Sequence, residues 1–523
     1  MIGSRTATQG AVAAGHPETV RAAQIALEEG GNAFDAVLAG MAAACVVEPV
    51  LSSLGGGGFL MARPADGEAV LYDFFAQTPK THPASDDTDF YPVLCDFGTV
   101  QQEFHIGMAS IATPGAVRGL FEINRDLGRM PLKRIIEPAL TLARDGFKMN
   151  RLQAYIFGVV GGIYLSTEAS RAIFCSKEEP ENLVREGETV SNPAFADALD
   201  SLAIEGDELF YFGEIAARID EDCRSGGTLT RADLEAYRME RRSPLSLDYG
   251  DARLFTNPPP STGGILIAFA LELIKGIGWG QAEFGSSAHL SRLVRVMELT
   301  NTARVESRLH QADGENAANT LLDSALLDTY RNKVLEHPKS MRGTTHISVI
   351  DGDGNAAALT LSNGEGAGYI VPGTGIMMNN MLGEEDINPH GFHKWPTDSR
   401  MCSMMAPSLV AGRDGELIAL GSGGSNRIRT AILQVLCNII DFGMPIEAAI
   451  NSPRVHFEAD RLSVESGLDP DQISDLVSNF SDYKLWDERN LFFGGVHAAR
   501  FDPSSGDFGA AGDPRRGGSA TVL

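Results

Sequence analysis

The sequence predicts an α+β protein in which stacked β-sheets are sandwiched between layers of helix. Two observations carry that reading: strand signals gather in two blocks, around residues 59–74 and 344–421, and each block has apolar helical stretches beside it. A third is negative, since no Pro- or Ser-rich linker divides the 523 residues, and the two blocks therefore belong to one structural domain.

Taken in order, a short extended start leads to a helix over residues 17–29, opened by Pro17 and stopped by Gly30-Gly31-Asn32. An Ala-rich helix follows over 34–47. The glycine run Gly55–Gly58 then enters a strand over 59–62, which pairs as a hairpin with a second strand over 69–74 across the PADGE turn. Residues 113–335 alternate helical patterns such as PLKRIIEPALTLARDG with polar loops and read as a helical layer. From Gly343 the texture changes: TTHISVID alternates, DGDG turns, and NAAALTLS returns as a partner strand, so a hairpin begins at Thr344. Further strands are expected at 375–380, 408–411 and 417–421, followed by a helix over 427–442 that GSGGSN opens.

Composition excludes several classes. With 43% hydrophobic and 21% charged residues the chain is globular rather than disordered. Its formal charge of -26 is spread along the chain, which argues against nucleic acid and anionic membranes as partners. Six cysteines without a CxxC pair point to neither a disulfide framework nor a zinc site. The N-terminus lacks a basic stretch followed by an apolar core, and no apolar run reaches membrane-spanning length, so the expected location is cytoplasmic.

The first candidate for chemistry is Thr344, at the head of a strand and directly after Arg342-Gly343. A threonine hydroxyl needs a base, and a free α-amine on the same residue supplies one. Exposing that amine requires a chain cut, which the small Gly343 permits by letting the hydroxyl reach the preceding carbonyl. Local sequence by itself favours the plainer reading of a threonine chosen for strand propensity. The second candidate is GSGGSNR, residues 421–427, whose backbone N–H groups at a helix N-terminus can hold an oxyanion or a carboxylate, or form only a tight turn. It fits neither the P-loop nor the dinucleotide pattern. Gly55–Gly58 reads as a close-packing backbone segment. The HGFH stretch 390–393 lacks a third ligand and reads as a solvated loop, so no metal is expected. No GxSxG elbow is present. Glu384, Glu385 and Asp386 form an acidic turn, ordinarily surface charge, that could instead bind a substrate ammonium.

These residues lie within stretches that run through nearly the whole chain: GGNAFDAVLAGMAAACVVEPVLSSLGGGGFLMA, IATPGAVRGL, PPPSTGGI, TTHISVIDGDGNAAALTLSN, GTGIMMNN, MMAPSLV, GSGGSNRIRTAILQVLCNIID, NSPRVHFE and DPRRGGSA. In their order and extent they resemble the gamma-glutamyltransferase (gamma-glutamyltranspeptidase) family. The resemblance implies the four-layer αββα sandwich of the N-terminal-nucleophile (Ntn) hydrolases. It also implies autocleavage at Gly343-Thr344, giving a large subunit of residues 1–343 and a small one of 344–523 that begins with the nucleophile Thr344. Ser362 falls where the family has a second hydroxyl bonded to the nucleophile, Asn363 beside it where the substrate's α-carboxylate end is bound, and Gly423-Gly424-Ser425 at the oxyanion-hole turn. No cofactor is implied.

Departures from the family pattern concentrate in the substrate pocket. The family's carboxylate-clamping arginine sits in a DFRE-type motif, which here reads Asp73-Phe74-Phe75-Ala76, and a phenyl ring at Phe75 cannot make that bidentate contact. Met381 stands in place of Gln or Glu, and Glu384 in place of the Asp that binds the α-ammonium. The paired serines read Cys402-Ser403, followed by one extra methionine, and the stretch between Glu384 and Arg400 is shorter than the family's lid. The expected activity is acyl transfer or hydrolysis of gamma-glutamyl compounds such as glutathione through an acyl-enzyme on Thr344. The alternatives are an acylase for a cephalosporin-type side chain or a small amide such as oxamate, and an unprocessed, non-catalytic binding protein. The sequence leaves open whether two processed pairs associate as a dimer.

Overall fold

The computed structural model describes residues 7–83, 88–96, 101–306, 343–388 and 391–523. Two antiparallel sheets lie face to face with helices outside each, which is the expected four-layer order. The first sheet has the strand order Ser519–Val522, Gly10–Ala14, Thr345–Asp351, Ala356–Ser362, Gly57–Arg63, Val70–Phe74 and Glu240–Arg242. The second runs Asp507–Ala511, Gly495–Asp502, Leu417–Gly423, Ser408–Gly412, Ala252–Thr256 and Leu245–Tyr249.

The helices Pro17–Glu28 and Ala33–Val47 cover the outer face of the first sheet. The second begins with a capping box, in which the Asn32 side chain accepts from Asp35 N while the Asp35 carboxylate accepts from Asn32 N. All its residues are buried, as expected of a helix apolar on every side. Gly263–Ile277 and Arg427–Ile440 cover the second sheet. One apolar cluster fills the space between the first sheet and its helices, and another extends from between the sheets to the helices outside the second.

The glycine run reads as anticipated. A Cβ at Gly56 would overlap the Ser362 carbonyl oxygen and one at Gly58 that of Thr360, so the strand Gly57–Arg63 can approach its neighbour only without side chains there. The part of the 113–335 tract that is described is not purely helical. Strands Glu240–Arg242, Leu245–Tyr249 and Ala252–Thr256 lie inside it and complete an edge of each sheet. They are three to five residues long and punctuated by Pro244 and Gly250, so no long strand run stands out from the tract. The strand expected over 375–380 shrinks to Ile376–Met377, paired with Ile370–Val371 apart from both main sheets. A hairpin of Tyr91–Asp96 and Gln101–Ile106 was not anticipated. Residues 307–335 of the helical tract lie outside the described residues.

Candidate active site

The register of the first sheet sets up the site. Thr345 pairs with Leu361, so Thr344 and Ser362 come together at the ends of adjacent antiparallel strands. Thr344 Oγ1 donates to the Gly343 carbonyl oxygen at 2.7 Å, and Ser362 Oγ donates to the same oxygen at 2.9 Å. Gly364 N in turn donates to Ser362 Oγ at 3.1 Å and fixes that hydroxyl's direction. The second sheet meets the first at this point, because a Cβ at Gly423 would overlap the Thr344 carbonyl oxygen. Gly424 (φ +120°) and Ser425 (φ +54°) then turn the chain into the helix Arg427–Ile440, as the GSGGSN reading requires. Thr344, Ser362 and the Gly423-Gly424 turn are therefore one constellation, assembled from strand ends of both sheets.

The substrate-side residues divide into two groups. Asn363 is fully buried beside Ser362, and its side-chain amide has no hydrogen-bond partner among the described residues, an arrangement that suits a ligand. Glu384 is buried rather than a surface charge, and its Oε1, with Asn380 Oδ1, occupies the place a Cβ at Gly364 would take. Phe75, by contrast, is 1% exposed and stacks on Phe59 with ring centroids 5.3 Å apart. Met381 is 2% exposed and belongs to the same apolar cluster. Cys402 and Ser403 are tied to the start of the helix Gly263–Ile277: Thr262 N donates to the Ser403 carbonyl at 2.9 Å, and Cys402 Sγ lies 3.7 Å from Thr262 Oγ1. In the HGFH stretch, Gly391 is exposed and His393 is half-buried, 4.4 Å from Phe90 and 5.6 Å from Trp395 by ring centroids, and His390 lies outside the described residues.

Three charged residues at the site were not singled out from sequence. Glu365 Oε1 accepts the Gly343 N–H at 2.9 Å. Glu48 is fully buried, accepts from Thr345 Oγ1 at 2.8 Å and from Thr19 Oγ1 at 2.9 Å, and is pushed up to about 7 by burial, with Arg516 and those two hydroxyls opposing. Arg516 packs its guanidinium against Gly423 and Gly424 and its aliphatic stem against Gly495. A carboxylate ending an apolar helix, as in AACVVEP, was the available signal for Glu48, since a buried acid needs partners.

The gamma-glutamyltranspeptidase family model matches residues 19–523. This chain belongs to the gamma-glutamyltranspeptidase family. With the family comes the class of enzyme: an Ntn hydrolase and acyltransferase that carries its acyl group on a terminal threonine. The chain is 32% identical to the glutathione hydrolase proenzyme of Escherichia coli K12, over 89% of this chain and 84% of that one. It is 29% identical to the acylase ACY 1 proenzyme of Pseudomonas sp. strain V22, over 97% and 92%. Among solved structures it is similar to the cephalosporin acylase of Bacillus halodurans, with a TM-score of 0.84 and 25% identity over 98% of this chain and 96% of that one. The gamma-glutamyltranspeptidase of Helicobacter pylori gives a TM-score of 0.52 at 25% identity, over 61% of this chain and 91% of that one.

Proposed function

We propose that the chain cuts itself between Gly343 and Thr344 and then hydrolyses or transfers the acyl group of gamma-glutamyl compounds such as glutathione. The observation that carries the reading is the Thr344 hydroxyl 2.7 Å from the Gly343 carbonyl oxygen, with the Ser362 hydroxyl on the same oxygen. Thr344 Oγ1 attacks the Gly343 carbonyl carbon, and Ser362 donates to the oxygen as charge builds on it. The C–N bond breaks, the hydroxyl proton ends on the released nitrogen, and Gly343 is left as an ester on Thr344. Water then cleaves the ester and frees a Gly343 carboxylate. The new α-amine serves as base for the next acyl group, and the Gly423-Gly424 backbone serves as oxyanion hole.

In this reading Asn363, Glu384 and Ser425 contact the acyl donor. Denaturing electrophoresis with N-terminal sequencing tests it: two fragments, the smaller beginning Thr-Thr-His, are expected, and a Thr344→Ala chain stays whole. A single uncut band together with full turnover would refute it. Size-exclusion chromatography of the processed protein tests association into a dimer of pairs, and cell fractionation tests the cytoplasmic location.

A second reading, an acylase for a non-glutamyl amide, is favoured by Phe75 in the arginine's place. Side-by-side turnover of gamma-glutamyl-p-nitroanilide and a cephalosporin side-chain amide separates the two readings.

A further inference from the structure

A precursor that cuts itself is its own first acyl donor, and the contacts of the scissile residue report what the acyl site recognises. Gly343 contributes N, Cα and the carbonyl carbon that Thr344 attacks. Its N–H is held by Glu365 Oε1 at 2.9 Å, and Glu365 is 1% exposed. Glu365 is itself fixed, since its backbone N donates to Asn380 Oδ1 at 2.9 Å. The Cα of Gly343 is equally confined: a Cβ there would lie 2.7 Å from the Gly364 carbonyl oxygen, 3.3 Å from that of Val50 and 3.4 Å from Leu51 Cδ2. A second carboxylate, Glu384, lies where a Cβ on Gly364 would stand.

We infer that Glu365 is a specificity residue for acyl donors carrying nitrogen on the carbon next to the acyl carbonyl, the glycyl amides in particular. The inference rests on Thr344 being the nucleophile. After the precursor is cut, the Gly343 N–H is no longer tied to the nucleophile, and a glycyl amine presents an N–H or N–H⁺ at the same distance from the carbonyl carbon. A buried carboxylate facing such an N–H makes a charge-assisted bond to it. A gamma-glutamyl group has a methylene at that position and offers no N–H there. Bulk at the α-carbon meets the Gly364 carbonyl, so the unsubstituted glycyl unit fits and larger α-substituents do not. In turnover the Thr344 Oγ1–acyl carbon bond forms as the amide C–N bond breaks, the hydroxyl proton ends on the leaving amine, and water hydrolyses the glycyl ester to glycine.

The test compares glycyl-p-nitroanilide with acetyl-p-nitroanilide, which differ only by that nitrogen, using processed full-length protein and Thr344→Ala as blank. The glycyl compound is expected to have the higher kcat/KM by about tenfold or more, with alanyl-p-nitroanilide below it. In Glu365→Gln the preference should shrink towards unity. Should that variant fail to fold, the parent comparison still decides, supported by inhibition of the parent by glycinamide but not acetamide. Equal rates on glycyl and acetyl compounds, with gamma-glutamyl turnover that Thr344→Ala abolishes, would leave the nucleophile in place and overturn the role of Glu365. Turnover that survives Thr344→Ala would instead remove the reading on which it stands.

Discussion

The Ser362 hydroxyl donates to the Gly343 carbonyl oxygen at 2.9 Å, across the ends of two paired strands. That oxygen is where negative charge gathers when Thr344 attacks. Ser362→Ala is therefore expected to slow self-cleavage by about 10²–10³-fold, the usual effect of removing one oxyanion donor. Ser362→Thr keeps the hydroxyl and should cleave far faster than the alanine variant. A time course of fragment appearance from purified precursor measures both.

Gly423 meets the Thr344 carbonyl oxygen where a Cβ would stand. Gly423→Ala must push two backbones apart, and backbone cannot rotate out of the way as a side chain can. A loss of about 1–3 kcal/mol in urea unfolding is expected, together with slowed cleavage. Unchanged stability would mean that the sheets separate easily at this end.

Glu48 gives stability a pH dependence of known sign. Its folded value of about 7 lies above the ordinary 4.5, so between these the folded chain holds a proton that the unfolded chain has released. Stability from this residue is therefore lost as pH rises through that window. The groups facing it are Thr19, Thr345, Cys45, His497 and Arg516. His497, lowered to about 4 by burial, acts in the opposite direction, but it is present in parent and variant alike. The stability of the parent relative to Glu48→Gln should fall between about pH 5 and about pH 7 in urea titrations. A constant difference would contradict the shift.

Behind the oxyanion turn, Arg515 donates to Glu465 at 2.5 and 2.7 Å and to Asp513 at 3.1 Å, while Arg454 donates to Asp513 at 2.6 Å. All four are almost wholly buried. Arg515→Ala leaves two carboxylates short of a cation and is expected to cost about 3–5 kcal/mol. Arg515→Met with Glu465→Leu, which removes charge from both sides, should cost less.

Phe75→Arg is the obvious way to restore the family's carboxylate clamp, and the structure predicts that it fails. The ring is 1% exposed and stacked on Phe59, while its backbone carbonyl already accepts from Tyr237 Oη at 2.8 Å and from Arg400. Arg400 lies over the Tyr237 ring and 3.4 Å from Asp73, so the nearby acid already has a cation. Thermal melts should show a large loss of stability, with no gain in gamma-glutamyl turnover.

What was legible in the sequence is what local chemistry writes down. The glycine run, the hairpin after Gly343 and the GSGGSN turn each require particular residues at particular backbone positions, whereas Ser362 was reached through the family resemblance. The strands between 240 and 256 were not legible because each spans only three to five residues, too short for alternation to stand out within a helical tract. Glu48 and Glu365 escaped for another reason. A carboxylate acquires a role only when tertiary packing buries it beside a donor, and Thr345 is almost three hundred residues from Glu48 along the chain. Phe75 and Met381 were placed by their position in the family pattern, and both side chains are buried in one apolar cluster.

The first sheet draws strands from both sides of residue 343, with Gly10–Ala14 lying between Thr345–Asp351 and Ser519–Val522. A cut at Gly343 would leave two polypeptides woven into one sheet by hydrogen bonds rather than by a covalent link. Before the cut, refolding is a first-order search by a single chain. After it, a denatured molecule must find its complement in solution, so recovery becomes second order and dilution works against it. Endurance of the processed form would then rest on the height of its unfolding barrier, and the cleavage that arms the nucleophile would also make denaturation a one-way event at low concentration.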